Sequence, residues 1–414
     1  MGNQKFELMC PAGDMRSLRA AIDAGADSVY FGVGALNMRA RAANFELEDL
    51  EEIVKICNSS GVKSYLTLNT VMYDEDLDTM EEVCDRAKKA GIDAVIASDI
   101  AVMKYCNEID LEVHMSTQAN ISNIEAVKFY SQFADTVVLA RELSVDQIEE
   151  ISRKIREQEI KGPGGELLEI EVFAHGALCV AVSGKCHMSL VQYNHSANRG
   201  DCLQACRRKY LVRDMQTGDE LKLGNNYVMS PKDLCTIGML DKLVDAGARV
   251  FKIEGRARGP EYVHTVVKTY RNALKSIKNG SYTKDKKEEW RKELKKVFNR
   301  GLWEGGYYMG EKTEMWSGTY GTRATTKKVQ IGKVINYYRK QEVAVIKLNA
   351  NSFQKGDELL FTGNKTGALY EEVDEIRVDD EKVEKVEKGD IATVKVQERV
   401  RENDDVYVIR EREE

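Results

Sequence analysis

AIDAGADSVYFG at Ala21–Gly32, AKKAGIDAVIAS at Ala87–Ser98 and LVDAGARVFKIEG at Leu243–Gly255 are three variants of one phrase. Each closes a helical pattern on a glycine, where a left-handed cap costs little, and then enters an apolar run of the kind that parallel strands use. Working outward, strands are predicted at Phe6–Cys10, Ser28–Phe31, Lys63–Leu68, Ala94–Ala97, Glu112–Met115, Thr136–Ala140, Leu168–Phe173 and Val250–Ile253. Helical periods lie between them at Met15–Ala24, Leu47–Cys57, Leu77–Ala90 and Val145–Arg156, with apolar residues three and four apart. Eight strand-helix units favour an α/β fold of the closed (β/α)8 barrel type over a doubly wound sheet. No GxGxxG follows the first strand to support dinucleotide binding.

The last crossover is abnormal, because some 75 residues separate Phe173 from Val250. That insertion, residues 174–240, carries Cys179-x6-Cys186-x15-Cys202-x3-Cys206, and Cys235 follows after 28 more residues. Thiolates are soft ligands for zinc or an iron-sulfur cluster. Four are needed and five are on offer. Gaps of 6, 15 and 28 require a tertiary fold to bring sulfurs together, unlike a zinc finger with its closely paired ligands. Cys10, Cys57, Cys84 and Cys106 are scattered and read as ordinary thiols.

An insertion at this point sits above the C-terminal face of the barrel, where barrel enzymes place their sites. Strand ends then supply the candidate lining: Asn69, Ser98, Asp99, Ser116, Gln118, Arg141, Glu142, His175, Glu254 and Arg256. A loop cap or surface contact is the ordinary role of such residues. His175 and Glu254 stand out: His175 precedes the glycine and cysteine segment, and Glu254 in KIEGR is placed to take a proton or to hold Arg256. His175 can equally serve a cysteine sulfur by hydrogen bond. Arg39, Arg41, Arg141, Arg207, Arg208 and Lys209 are candidates to meet phosphates or a carboxylated donor, with a surface ion pair as the plain alternative for each.

The chain divides into the barrel with its insertion (1–260), a helical and aromatic, glycine-rich connection (261–324) and a C-terminal part (325–414) whose period changes from 3.6 to 2. VQIGKVINYY, EVAVIKLN, FQKGDELLFTG, ALYEEVDEIRV, DIATVKVQ and VYVIRE read as six short strands of a small β-barrel. With 61 basic and 68 acidic side chains and a formal charge of −7, unspecific binding to long nucleic acid is disfavoured, although a local basic patch can still hold RNA. No apolar run reaches the roughly 18 residues that span a bilayer, and nothing at the N-terminus looks like a secretory signal, so no membrane partner is expected and the location reads as cytoplasmic.

Glu171–Cys186, with NRGDC at Asn198 and SPKDLC at Ser230, closely resembles the collagenase-like peptidase family of unassigned catalytic type, number 32. LMCPAG at Leu8, HMSTQAN at His114 and KIEGR at Lys252 extend the resemblance over nearly the whole chain. Members carry an old peptidase label, while the better understood bacterial relatives are oxygen-independent hydroxylases of tRNA wobble uridine, ribosomal RNA cytidine or the ubiquinone precursor. The resemblance implies a 4Fe-4S cluster on Cys179, Cys186, Cys202 and either Cys235 or Cys206, with zinc as the alternative metal. Cys235 is favoured, because a late ligand would clip the long insertion back onto the barrel. The tRNA branch looks nearest. It implies a tRNA anticodon loop as partner, formation of 5-hydroxyuridine, a prephenate-derived cosubstrate and an electron donor, and it admits a related family subunit. The peptidase reading lacks HExxH and GxSxG, leaving only His175 and Cys179 as an imaginable thiol-imidazole pair. A noncatalytic RNA-binding or assembly factor is the third class.

Overall fold

The computed structural model of the chain describes residues 6–34, 36–41, 43–223, 230–306, 308–310, 316–317, 319 and 321–412. Seven strands, β1 (Glu7–Pro11), β2 (Ser28–Phe31), β3 (Lys63–Leu68), β4 (Ala94–Ala97), β5 (Glu112–Met115), β6 (Thr136–Val138) and β7 (Glu169–Ala177), each pair in parallel with the next. Val250–Ile253 pairs with both β7 and β1 and closes an eight-stranded parallel barrel. The repeated phrase works as its composition requires. Gly25, Gly91 and Gly247 have φ of 96°, 85° and 102°, so each turns the chain from a helix into the next strand in a conformation that side chains disfavour.

The helices follow the 3.6 period. In α3 (Leu77–Ala90), Met80, Val83, Cys84 and Ala87 are buried and Gly91 caps the end. After the barrel, Pro260–Lys278 buries Val263, Val266, Val267, Tyr270 and Leu274 against it, and Lys284–Lys296 buries only Trp290 and Leu294. Among the described residues no helix is long and apolar enough to cross a membrane.

The barrel-strand boundaries that differ from expectation by more than one residue are at the ends of β6 and β7. β6 is three residues long, and β7 continues four residues past Phe173. The extension has a physical cause: Asp233–Cys235 returns from the insertion and pairs antiparallel with β7, Cys235 opposite His175 and Leu234 opposite Gly176. His175 therefore lies within a strand that is covered on its far side, not on a loop over the barrel.

The C-terminal part is an eight-stranded antiparallel sheet. FQKGDELLFTG splits into Phe353–Gln354 and Glu358–Gly363 around the turn at Gly356, and ALYEEVDEIRV splits into Gly367–Glu372 and Ile376–Val378. The strands ending the sheet, Gly367–Glu372 and Glu381–Val383, have no ladder joining them among the described residues, so the sheet curls round a core of Ile331, Leu359, Phe361 and Val406 as an open edge-to-edge order. It rests on the barrel through Ala20 against Leu360 and Ala368, with Arg16 paired to Asp405 at 2.8 Å on α1 (Met15–Asp23). Much of the aromatic, glycine-rich stretch from Tyr307 to Gly321 lies outside the described residues.

Candidate functional site

A cavity of about 580 Å³ opens between the C-terminal ends of the barrel strands and the insertion. Its floor is the barrel mouth: Tyr30, Ile96, Val138, Phe173 and Lys252. Its roof is the insertion, which contributes Cys179, Cys186, Cys202 and Cys206. Three of these thiols are partly buried or deeper in the wall and Cys179 is exposed. Charge couples them across the cavity: burial raises the pKa of Cys206, Arg207 lowers it, and Cys179, Cys202 and Cys186 raise it again.

Cys235, expected as the fourth ligand, is elsewhere. It is buried in the apolar core behind β7, its Sγ 3.9 Å from the Tyr270 hydroxyl, and desolvation pushes its thiol up to about 11. The strand pairing that clips the insertion onto the barrel is made by the backbone of Asp233–Cys235, so the thiol is not needed for that purpose. The structure thus groups Cys206, not Cys235, with the other three. Four thiols line one cavity, with Arg207 and Arg39 in Coulombic reach of them, and thiolates beside cations are the donor type that an anionic iron-sulfur cluster takes. Among the described residues no three His, Cys, Asp or Glu side chains are drawn together tightly enough to hold a single metal ion.

The remaining expected residues divide. Arg39, Arg41, Asn69, Gln118, Arg141, Arg207, Glu254 and Arg256 line the cavity with the thiols. Glu254 does not hold Arg256. Its Oε1 accepts from Arg39 at 3.1 Å and its Oε2 from the Ala177 backbone at 3.4 Å. Burial would raise this carboxyl, but the charges of Arg39 and Arg258 outweigh burial and hold it below the ordinary range. Arg256 is buried and donates to Thr67 Oγ1 at 2.8 Å and to Asn37, while burial lowers its pKa to about 10. Gly176, with φ of 115°, lets the β7 backbone pass against the backbone of Glu254, since a Cβ there would stand 2.5 Å from the Glu254 carbonyl oxygen.

Asn69 accepts from the Met38 backbone at 3.1 Å and donates to Ser116 Oγ at 3.3 Å, and the Ser116 hydroxyl donates to Gln118 Oε1. Arg141 donates to Ser183 Oγ at 2.7 Å. Arg207 spends its guanidinium on Ser230 Oγ, the Pro231 carbonyl and the Leu178 carbonyl, which makes it a strut of the insertion.

Six expected residues stay outside the lining: Asp99, Glu142, His175, Arg208, Lys209 and Ser98, whose hydroxyl donates to the Asn69 carbonyl at 3.0 Å. Asp99 caps α4 (Ile100–Glu108), with its carboxylate accepting from Ala101 and Met72 backbone amides. Glu142 is exposed on the loop after β6. Arg208 lies against Tyr193. His175 is buried behind the wall, its Nδ1 3.3 Å from the Tyr270 hydroxyl, and touches neither the cavity nor a sulfur. Burial pushes its imidazole down to about 3 from an ordinary 6.5. Between those two values the unfolded chain binds the proton and the folded chain does not, so stability is lost as pH falls through this window. The single group contributes at most about 1.4 kcal/mol per pH unit. His264, pushed down to about 4 by burial, adds a slope of the same sign. His175→Gln is expected to flatten, without abolishing, the fall of unfolding free energy between pH 6 and 4 in urea titrations; an unchanged slope would place the acid sensitivity elsewhere.

Several lining residues escaped the sequence reading. Lys252, two residues before Glu254 on the same strand, faces the barrel interior by the period of two, and it pairs at 2.9 Å with Glu171. Thr117 Oγ1 and Asn198 Oδ1 are buried at the cavity without a partner among the described residues. Arg258 and Arg300 add two more cations. Polar residues at a barrel rim carry no pattern beyond their place after a strand, and Asn198 lies in the insertion, where no period applies.

A model of Peptidase family U32 matches residues 13–318. A collagenase of Porphyromonas gingivalis strain W83 is 53% identical over the full length of both chains. An uncharacterized protease of Methanocaldococcus jannaschii is 42% identical over 98% of each chain. The tRNA hydroxylation protein P1 of Bacillus subtilis is 33% identical over 87% of this chain and 84% of its own.

Proposed function

From the premise that this chain belongs to peptidase family U32, we propose that it is an enzyme of tRNA hydroxylation, which forms 5-hydroxyuridine at the wobble position of an anticodon by an oxygen-independent, prephenate-linked route. The observation that carries this reading is the convergence of Cys179, Cys186, Cys202 and Cys206 on one barrel-mouth cavity among arginines. The likeness to a tRNA hydroxylation protein supports it. Replacing the C5–H bond of uridine by C5–OH is a two-electron oxidation of the base, which balances if a hydroxyl-bearing carboxylated cosubstrate gives up its OH and keeps an H in its place, so that it is reduced as the base is oxidised. Those thiolates would hold a 4Fe-4S cluster at the roof, and it would supply one-electron transfer there. The chain's own residues do the rest. Asn69, Ser116, Thr117, Gln118 and Asn198 present amide and hydroxyl groups to the edge of a base that has left its stack, a small cost in an anticodon loop. The side-chain oxygens of Thr117 and Asn198 are buried without a hydrogen-bond partner among the described residues. Arg39 and Glu254 orient one another, while Lys252, Arg256 and Arg258 add positive charge to the lining for a carboxylated cosubstrate.

The second reading is peptidase, favoured by the names of the 53% and 42% identical relatives. Its imagined thiol-imidazole pair is not formed, because His175 is turned to Tyr270 and pushed far down in pKa by burial. Deleting the gene in its own host is expected to remove a hydroxyuridine-derived nucleoside from bulk tRNA, read by mass spectrometry of digests. Wild-type protein should restore it and Cys179→Ser should not. An unchanged tRNA profile without a redundant paralogue defeats the assignment. Altered ribosomal RNA selects the cytidine reaction instead, and Cys179-dependent cleavage of denatured collagen selects the peptidase.

A further inference from the structure

The rim of the cavity carries groups that the chemistry inside does not use. Residues 174–213 hold six basic side chains, Lys185, Arg199, Arg207, Arg208, Lys209 and Arg213, against one acid, Asp201, in a chain of formal charge −7. Over the whole insertion, 174–240, basic side chains outnumber acidic ones by eight to five, with the excess in this first part, and that balance favours an anionic partner.

Two of these arginines lie beside exposed tyrosines. Arg199 Cζ stands 4.0 Å from the ring centroid of Tyr73, and Arg199 is fixed there by Asp76 and by the Val71 carbonyl at 3.2 Å. Arg208 Cζ stands 4.6 Å from the ring of Tyr193, whose hydroxyl accepts from it. Tyr73 is 52% exposed and Tyr193 38%. Both adjoin the mouth. Asn198, next to Arg199, lines the cavity and accepts from the Val71 amide, and Met188 and Ser189, on the short helix ending at Tyr193, line it as well. Val182 and Val191 are exposed between them, Val191 by 81%.

A surface arginine resting on a ring contributes about 0.5–1 kcal/mol and alone implies no ligand. Here the pairs recur at one mouth, the rings stay open, and the charge surplus surrounds them. Unpaired RNA bases stack on aromatic rings and on guanidinium planes while their phosphates meet cations. A duplex hides its base faces and would use the charges without the tyrosines. A polypeptide could meet the charges through carboxylates, but it lacks a run of planar bases to stack on the two rings.

We propose that Tyr73 with Arg199 and Tyr193 with Arg208 are two stacking platforms that grip unpaired bases of a single-stranded RNA loop as one nucleotide enters the cavity. This rests on the RNA reading of the site given above. The test is binding of anaerobically purified full-length protein to a labelled hairpin RNA with an open loop, to a fully paired duplex of the same stem, and to gelatin. Tyr73→Ala and Tyr193→Ala are each expected to weaken loop binding roughly tenfold and to leave duplex binding unchanged. Tyr73→Phe and Tyr193→Phe should bind the loop as wild type does, which separates stacking from loss of fold. Alanine variants that bind the loop like wild type, or that lose loop and duplex alike, overturn the platforms. Wild-type protein that takes gelatin in preference to both RNAs overturns the underlying reading, an outcome already visible before any variant is made.

Discussion

Cys206→Ser is expected to strip iron and acid-labile sulfide from anaerobically purified protein, from about four irons per chain to near none, while Cys235→Ser keeps both. Cys206 faces the same cavity as Cys179, Cys186 and Cys202 and feels their charges, whereas Cys235 is enclosed by the apolar core with Tyr270 as its polar neighbour. A serine oxygen is a hard, poor ligand for iron. Beside Tyr270, by contrast, a serine hydroxyl can take over the weak contact of the thiol. Iron, sulfide and the broad visible absorption of the brown protein are read together. Loss in Cys235→Ser with retention in Cys206→Ser would reverse the assignment. One zinc without sulfide in the anaerobic wild type would replace the cluster by a zinc site.

Much of the barrel was legible because a parallel barrel repeats one physical unit. A helix that ends on Gly25, Gly91 or Gly247 and an apolar strand directly after it can be recognised one unit at a time, without knowledge of the rest of the fold. The place of the cavity followed as well, since strand ends on one face must converge: Asn69, Gln118, Arg141, Glu254 and Arg256 do line one cavity. What failed depends on contacts between distant segments. Whether Cys206 or Cys235 joins the other thiols is decided by how the insertion folds back, and the backbone pairing of Asp233–Cys235 to β7 settles it by carrying Cys235 behind the barrel wall. The same pairing prolongs β7 and encloses His175, which strand-end logic alone would set in the open. Glu254 chose Arg39 over Arg256, two residues away, because neighbours i and i+2 leaving a strand need not meet, while the loop after β2 crosses directly above. In the C-terminal sheet the alternation marked the strands but not their count, since short turns such as that at Gly356 interrupt a run without breaking its composition.

Lys252→Met is expected to cost about 3–5 kcal/mol of stability, more than a surface ion pair is worth. The pair it breaks lies inside the barrel: Lys252 Nζ is 2.9 Å from Glu171 Oε1, with the two side chains 7% and 0% exposed. Taking both charges out of water is costly, and their attraction in a poorly polarisable surrounding offsets much of that cost. Removing the cation alone leaves a carboxylate in the core whose other oxygen, Oε2, already has no partner among the described residues. Tyr30 compounds the loss, because its ring, 4.6 Å from Nζ, gives up a cation and faces an unpaired anion instead. The double variant Lys252→Met with Glu171→Met removes both charges together and is expected to recover most of the deficit, since a buried pair replaced by apolar groups of similar volume is often neutral. Urea unfolding under anaerobic conditions measures both. A deficit below about 1 kcal/mol in Lys252→Met would show that water reaches the pair. Recovery of stability in the double variant without recovery of tRNA hydroxylation would separate the two roles of Lys252, as the charge that balances Glu171 and as the cation at the floor of the cavity.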